Sequence, residues 1–211
     1  MRRLLLGVIL AALSAGGGAM AETGGQAAKA DDHPMVALET SMGRIVLRLY
    51  PEKAPLTVAN FLEYVEADFF NGTIFHRVVP NFVIQGGGFT ETMSRKETRP
   101  PIRNEAARGL KNKQYTISMA RTGDPHSATS QFFISLRDNT ESLDPHPEDP
   151  SRQWGYCAFG EVVEGQAVVD AVGKVKTETR AGMKDVPAVP VLINTAKVIR
   201  PEAPEDGKTG S

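Results

Sequence analysis

Short strand-like runs divided by turn residues fill residues 34–200 of this chain, and their spacing leaves few places for a parallel crossover. Runs 35–40 and 44–50 are separated by Ser41-Met42-Gly43, a length suited to a hairpin in which glycine takes the unusual backbone angle. In the second run Ile45, Leu47 and Leu49 point one way and Arg44 and Arg48 the other, which predicts one wet face. Further runs lie at 74–79, 82–85, 114–120, 131–136, 155–162 and 191–199. Helical spacing occurs twice, in 55–69, where Val58, Phe61, Leu62 and Val65 recur after Pro55, and in 165–172. About eight short strands with two helices indicate an all-β dominated domain, an antiparallel barrel or a sandwich rather than an α/β fold.

The two ends have a different character. Arg2 and Arg3, an apolar run over 4–13 and the small-x-small triplet Ala19-Met20-Ala21 read as an export signal, with cleavage expected after Ala21. The apolar run is well short of the roughly 20 residues that span a bilayer, and no neighbouring cysteine could carry a lipid. Residues 22–33 and 201–211 are small, polar and aperiodic, so a disordered leader and tail are expected on either side of one domain at 34–200.

Without Arg2 and Arg3 the chain carries 22 basic and 25 acidic residues, a balance of minus three. No basic run points to nucleic acid, no later apolar run to a membrane, and nothing calls for more than a monomer. Cys157 is the single cysteine, which excludes an intrachain disulfide and a CxxC redox site. Set between Tyr156 and Ala158 in a strand pattern, it reads as a small buried hydrophobe.

The stretch 75–89, Phe-His-Arg-Val-Val-Pro-Asn-Phe-Val-Ile-Gln-Gly-Gly-Gly-Phe, puts Arg77 and Gln85 on two short strands where a plain sheet needs neither. Parity places His76 opposite Arg77, as a hydrogen-bonded structural residue, and groups Val83 with Gln85. On the later strand Gln131 shares a face with Phe133, and Phe132 shares the other with Ile134. Two glutamines beside a phenylalanine offer amide hydrogen bonds around an apolar floor. Taken alone, that suits a structural network as well as a binding site. The long irregular segment 90–113 is expected to wrap the surface, with one edge lining a site. The excursion at 144–153 contains Asp144, His146, Glu148 and Asp149 without metal-ligand spacing, and it reads as a solvated loop.

Three separated motifs in order give a more specific signal. Phe75-His76-Arg77-Val78-Val79-Pro80 with Phe82-Val83-Ile84-Gln85-Gly86-Gly87, then Ile117-Ser118-Met119-Ala120-Arg121, then Ser130-Gln131-Phe132-Phe133-Ile134 resemble the cyclophilin family of peptidyl-prolyl cis/trans isomerases. The segments Met119-Ala120-Arg121-Thr122 and Ser127-Ala128-Thr129-Ser130-Gln131 look most like its exported, periplasmic bacterial branch. The resemblance spans Met35 to Ile199. It implies a closed eight-stranded antiparallel barrel capped by two helices, with a packed interior and a proline site on the outer surface. By position Arg77 matches the catalytic arginine, and Phe82, Val83, Gln85, Ala120, Arg121, Gln131, Phe133, Leu143 and Tyr156 match substrate-lining positions.

The implied reaction explains the residue types. Rotation about an Xaa-Pro bond breaks amide resonance against a barrier near 20 kcal/mol and takes tens to hundreds of seconds unaided. No bond to another atom forms, so no nucleophile, metal or cofactor is required. As the bond twists, the prolyl nitrogen gains a lone pair, and a guanidinium donating to it stabilises the twisted state above either planar one. Lowering the barrier by about 7 kcal/mol corresponds to roughly a 10⁵-fold acceleration. The expected partners are proline-containing segments of peptides and folding proteins. A competing reading is a non-catalytic peptide-binding or chaperone module with the same pocket. A serine hydrolase lacks its Gly-x-Ser-x-Gly elbow, and Gly86-Gly87-Gly88 lacks the Lys-Ser/Thr of a phosphate loop.

The chain departs from the family in one wall of the pocket. Relatives usually carry Trp or Phe before the leucine matched by Leu143, whereas this chain has Ser142. Trp154, at the end of the proline-rich excursion, is the candidate replacement. Tyr156 stands where many relatives have histidine. Weak binding of cyclosporin-like macrocycles is the expected consequence.

Overall fold

The computed structural model describes residues 33–199, so the export signal, most of the leader, and the tail expected from the sequence lie outside the described residues. Strands β1 (Met35–Thr40), β2 (Gly43–Leu49), β3 (Thr73–Val79), β4 (Val83–Thr90), β5 (Thr116–Met119), β6 (Phe132–Ser135), β7 (Ala158–Glu164) and β10 (Leu192–Ile199) are the eight read from the alternation, with ends shifted by a few residues. They close into a barrel in the order β1-β10-β3-β4-β6-β5-β7-β2, every neighbouring pair antiparallel. The strand pattern suits a barrel or a sandwich; the pairing of β1 with β2 at the two ends of this order leaves no strand with a free edge and makes it a barrel.

Inward-facing side chains fill the interior, including Leu38, Ile45, Leu47, Ile84, Ile117, Phe132, Ile134, Phe159 and Ile193. Helix α1 (Pro55–Glu66) presses Phe61 into this core, 5.2 Å from the ring of Phe159 and 5.7 Å from that of Phe132. A second helix, α3 (Gln166–Val172), adds Val169 and Val172 to the same core. The wet face predicted for β2 is narrower than expected, because Val46 is buried and Arg48 half-buried beside the outward Arg44.

Three features escaped the alternation. A single helical turn, α2 (Thr140–Leu143), is too short to show a period. Strands β8 (Thr177–Arg180) and β9 (Met183–Pro187) form a separate hairpin. Its turn residues, Ala181 at φ 51° and Gly182 at φ 76°, both lie in the left-handed region, as a tight two-residue hairpin requires. Ala-Gly is a weaker signal for such a turn than Asn-Gly, and the largely polar β8 shows no apolar face. Finally, α1 has no side-chain cap of its own. Glu105, from the long segment 90–113, accepts hydrogen bonds from the backbone N–H of Thr57 at 2.8 Å and of Leu56 at 3.3 Å, and from the Thr57 hydroxyl at 2.8 Å. The wrapping segment thus serves the free donors of the helix start.

A bulge in β3 prepares the site. Phe75 pairs with Gly86 and Arg77 with Gln85, so two steps along β3 match one along β4. Plain alternation puts Phe75 and Arg77 on one face. With His76 as the extra residue, Phe75 instead enters the core while Arg77 stays half-exposed on the outside.

Candidate active site

The residues singled out in the sequence converge on the outer wall of the barrel. Across β3, β4, β6 and β5, Arg77 is the register partner of Gln85, Gln85 of Phe133, and Phe133 of Ser118, a row at one height on four strands. Beside it is a cavity of about 390 Å³ lined by Arg77, Phe82, Val83, Gln85, Ala120, Arg121, Phe133, Leu143 and Tyr156. Gln131 lies next door, in a smaller cavity of about 100 Å³ that shares Gln85, Ala120 and Arg121 and adds Arg95, Thr122, Ser127 and Thr129. Arg95 belongs to the wrapping segment 90–113 and is the edge of it that lines this cavity.

The floor of the larger cavity is a small apolar cluster separate from the barrel core. Val83, Phe133 and Leu143 are buried in it, with Phe82, Ala120 and Tyr156 packed around them. Phe133 and Phe132 therefore belong to two different cores, as the alternation of β6 demands. Phe133 meets Tyr156 edge to face at 5.6 Å, and the Arg121 guanidinium lies 4.5 Å over the Tyr156 ring. That guanidinium is fixed in place: Nε donates to the Gly155 carbonyl at 3.0 Å and Nη1 to that of Thr122 at 2.9 Å.

Polar groups surround this floor. Gln85 Nε2 donates to Gln131 Oε1 at 3.0 Å. Room for Gln131 comes from Gly88, where a Cβ would sit 2.6 Å from the Gln131 Cγ; at Gly87, φ 78°, a Cβ would strike Phe132 and Phe70 at 2.9 Å. The triple glycine thus makes space for side chains rather than for a phosphate. The Ala120 N–H already donates to the Gln131 carbonyl at 2.9 Å, so at this edge the Ala120 carbonyl and the Arg121 backbone are what remain to meet a ligand.

Two buried asparagines with no signature in the sequence hold the floor together. Asn139 donates from Nδ2 to the Phe82 carbonyl at 3.0 Å, and its own carbonyl receives the Leu143 N–H at 2.9 Å. Asn112 donates to the buried Asp144 carboxylate from its backbone at 2.8 Å and from Nδ2 at 2.9 Å, and Nδ2 also reaches the Tyr156 carbonyl at 3.0 Å. Isolated asparagines in loops give no periodic signal, and only folding shows that they are interior.

His76 is buried and its ring packs 4.7 Å from that of Phe89. Burial pushes its pKa down to about 4, with the Arg77 charge acting the same way and hydrogen bonding to the Ile74 backbone and the Gln131 side chain acting against it, so the imidazole is neutral near pH 7. Its Nδ1 has no hydrogen-bond partner among the described residues. Trp154 does not replace the missing wall: it is 45% exposed and packs edge to face on His126 at 5.0 Å, while Ser142 is exposed. Cys157 sits in the core 3.6 Å from the Thr57 hydroxyl, and burial pushes its thiol up to about 11. In the excursion Asp149 is held down to about 2 by Ser151 and Arg152. Among the described residues no group of His, Cys, Asp and Glu side chains could hold a metal ion, and no helix is long and apolar enough to cross a membrane.

Known proteins share this fold and much of this sequence. Residues 35–198 match the family model of the cyclophilin type peptidyl-prolyl cis-trans isomerase/CLD. The chain is 54% identical over 164 residues to peptidyl-prolyl cis-trans isomerase cyp18 of Streptomyces antibioticus, covering 78% of this chain and 98% of that one. It is 50% identical over 171 residues to peptidyl-prolyl cis-trans isomerase B of Escherichia coli, covering 78% and 99%. Among solved structures, the Cryptosporidium parvum cyclophilin type isomerase crystallised in the presence of the dipeptide Ala-Pro superposes with a TM-score of 0.64 at 22% identity, covering 78% of this chain and 98% of that one. The chain belongs to the cyclophilin-type peptidyl-prolyl cis-trans isomerases. It is an enzyme of that kind, built on an eight-stranded closed barrel.

Proposed function

We propose that this enzyme isomerises Xaa-Pro bonds by donation from the Arg77 guanidinium to the prolyl nitrogen as the bond twists. The observation that carries the reading is the row Arg77–Gln85–Phe133, which sets a cation, an amide and an aromatic floor on one cavity wall. Val83, Phe133 and Leu143 receive the proline ring, with Phe82 at the rim. Gln85, supported by Gln131, and the Arg121 backbone hold the flanking peptide. A donor that bonds the pyramidal nitrogen but not the planar one lowers the barrier without tightening ground-state binding.

The substrates are proline-containing segments of folding proteins, and the site of action is the periplasm or beyond it. The charged start, apolar run and Ala-x-Ala triplet of residues 1–21 support export, with cleavage after Ala21. The mature enzyme is read as a monomer. Purified Arg77→Ala is expected to lose about 10²–10³-fold in kcat on an Xaa-Pro peptide in a coupled assay, the loss typical of one preorganised transition-state donor. Wild-type turnover by that variant sinks the mechanism. Cell fractionation tests the location, and retention of the full-length chain in the cytoplasm overturns it.

A further inference from the structure

The β8–β9 hairpin packs against β3, the strand that carries Arg77. Asp185 on β9 brings Oδ2 to 3.7 Å from the Arg77 Nε. Among the described residues it is the only polar group within ion-pair or hydrogen-bond distance of that guanidinium. Its backbone is unusual. Glu178 pairs with Val186 and Arg180 with Met183, so Lys184 and Asp185 together face Thr179 alone. Asp185 takes the left-handed conformation at φ 62° within this bulge. Glycine adopts that conformation without penalty and is the usual residue at such a position. A carboxylate there is a choice the hairpin itself does not need.

We propose that Asp185 is a positioning residue for the isomerisation: from the bulge its carboxylate holds the Nε edge of Arg77 and leaves the remaining nitrogens for the twisting bond. The inference rests on the role of Arg77 proposed above. An arginine side chain has several rotatable bonds, and holding one edge removes freedom that would otherwise be lost in the transition state. Both partners are about two-fifths exposed, so the effect is modest and salt-sensitive.

Asp185→Asn is the informative variant, since asparagine tolerates the left-handed conformation and removes only the charge. With an uncharged Xaa-Pro peptide at low ionic strength, its kcat is expected to fall roughly two- to five-fold with KM unchanged, within the range of exposed ion pairs. In about 1 M NaCl wild-type kcat should fall toward that of the variant. Asp185→Gly should show the same kinetic loss with an equal or higher melting temperature, which a purely structural role does not produce. In an Arg77→Ala background Asp185→Asn should change nothing in the residual rate. Wild-type kcat in Asp185→Asn, a loss that persists in the Arg77→Ala background, or a salt-independent difference overturns the proposal. A slow Arg77→Ala beside a wild-type Asp185→Asn defeats this inference alone, whereas a fully active Arg77→Ala defeats the arginine mechanism itself.

Discussion

Gln85 donates from Nε2 to Gln131 Oε1 at 3.0 Å, and this bond joins the cavity that holds Arg77 to the smaller one beside it. Gln85 is at once the register partner of Arg77 and of Phe133, so a disturbance at Gln131 reaches the centre of the site.

Gly88→Ala tests that coupling from behind. The new Cβ would lie 2.6–2.8 Å from Gln131 side-chain atoms, so the side chain must move off Gln85. One hydrogen bond contributes about 0.5–1.5 kcal/mol, so kcat/KM should drop about 2–12-fold while the barrel keeps its melting temperature. Wild-type kinetics would show that the amide pair is dispensable.

His76 makes stability depend on pH. Its folded pKa, about 4, lies below the unfolded value of 6.5, so between these limits the unfolded chain binds more protons. Stability from the neutral imidazole is complete above pH 6.5 and declines as pH falls toward 4, by about 3 kcal/mol in all; below pH 4 it falls no further on this account. His76→Leu removes the titration, and its unfolding free energy should be flatter between pH 6.5 and 4 than that of the wild type. Parallel pH profiles of the two proteins would rule the assignment out.

Glu105→Ala removes the acceptor for two backbone donors and one hydroxyl at the start of α1. Losing such a cap costs about 1–2 kcal/mol, or a melting point lower by roughly 3–6 °C in a domain of this size. Glu105 does not line the cavity beside Arg77, so kcat on a small peptide should be unchanged. An unaltered thermal transition would mean that water caps the helix equally well.

Ser142 precedes Leu143 at the cavity and is exposed, with Trp154 occupied elsewhere against His126. Weak binding of cyclosporin-like macrocycles follows. Ser142→Trp should tighten it about tenfold, the order expected for one added aromatic contact. Calorimetry measures both, and nanomolar affinity in the wild type contradicts the expectation.

Much of this protein was legible before folding. Period-two alternation separates Phe132 and Ile134 from Phe133, and Val83 from Ile84, because a strand has only two faces; the structure assigns these residues to two cores accordingly. The three motifs supplied the family, and with it nine cavity residues out of the ten expected. Gln131 reaches its partner from the adjoining cavity instead. Parity alone misplaces Phe75 relative to Arg77, since one extra residue in β3 reverses the alternation at that point.

By itself, the sequence determined the strand and helix repertoire, the apolar and polar faces, and which residue types could meet a proline. Those are properties of neighbours along the chain. Tertiary structure decided that the sheet closes, that Glu105 caps a helix some fifty residues away, that Asn112 and Asn139 are interior, and that Asp185 stands beside Arg77. Each of these relations joins segments distant in sequence through loops or bulges without periodicity, and side-chain spacing along the chain carries no record of them.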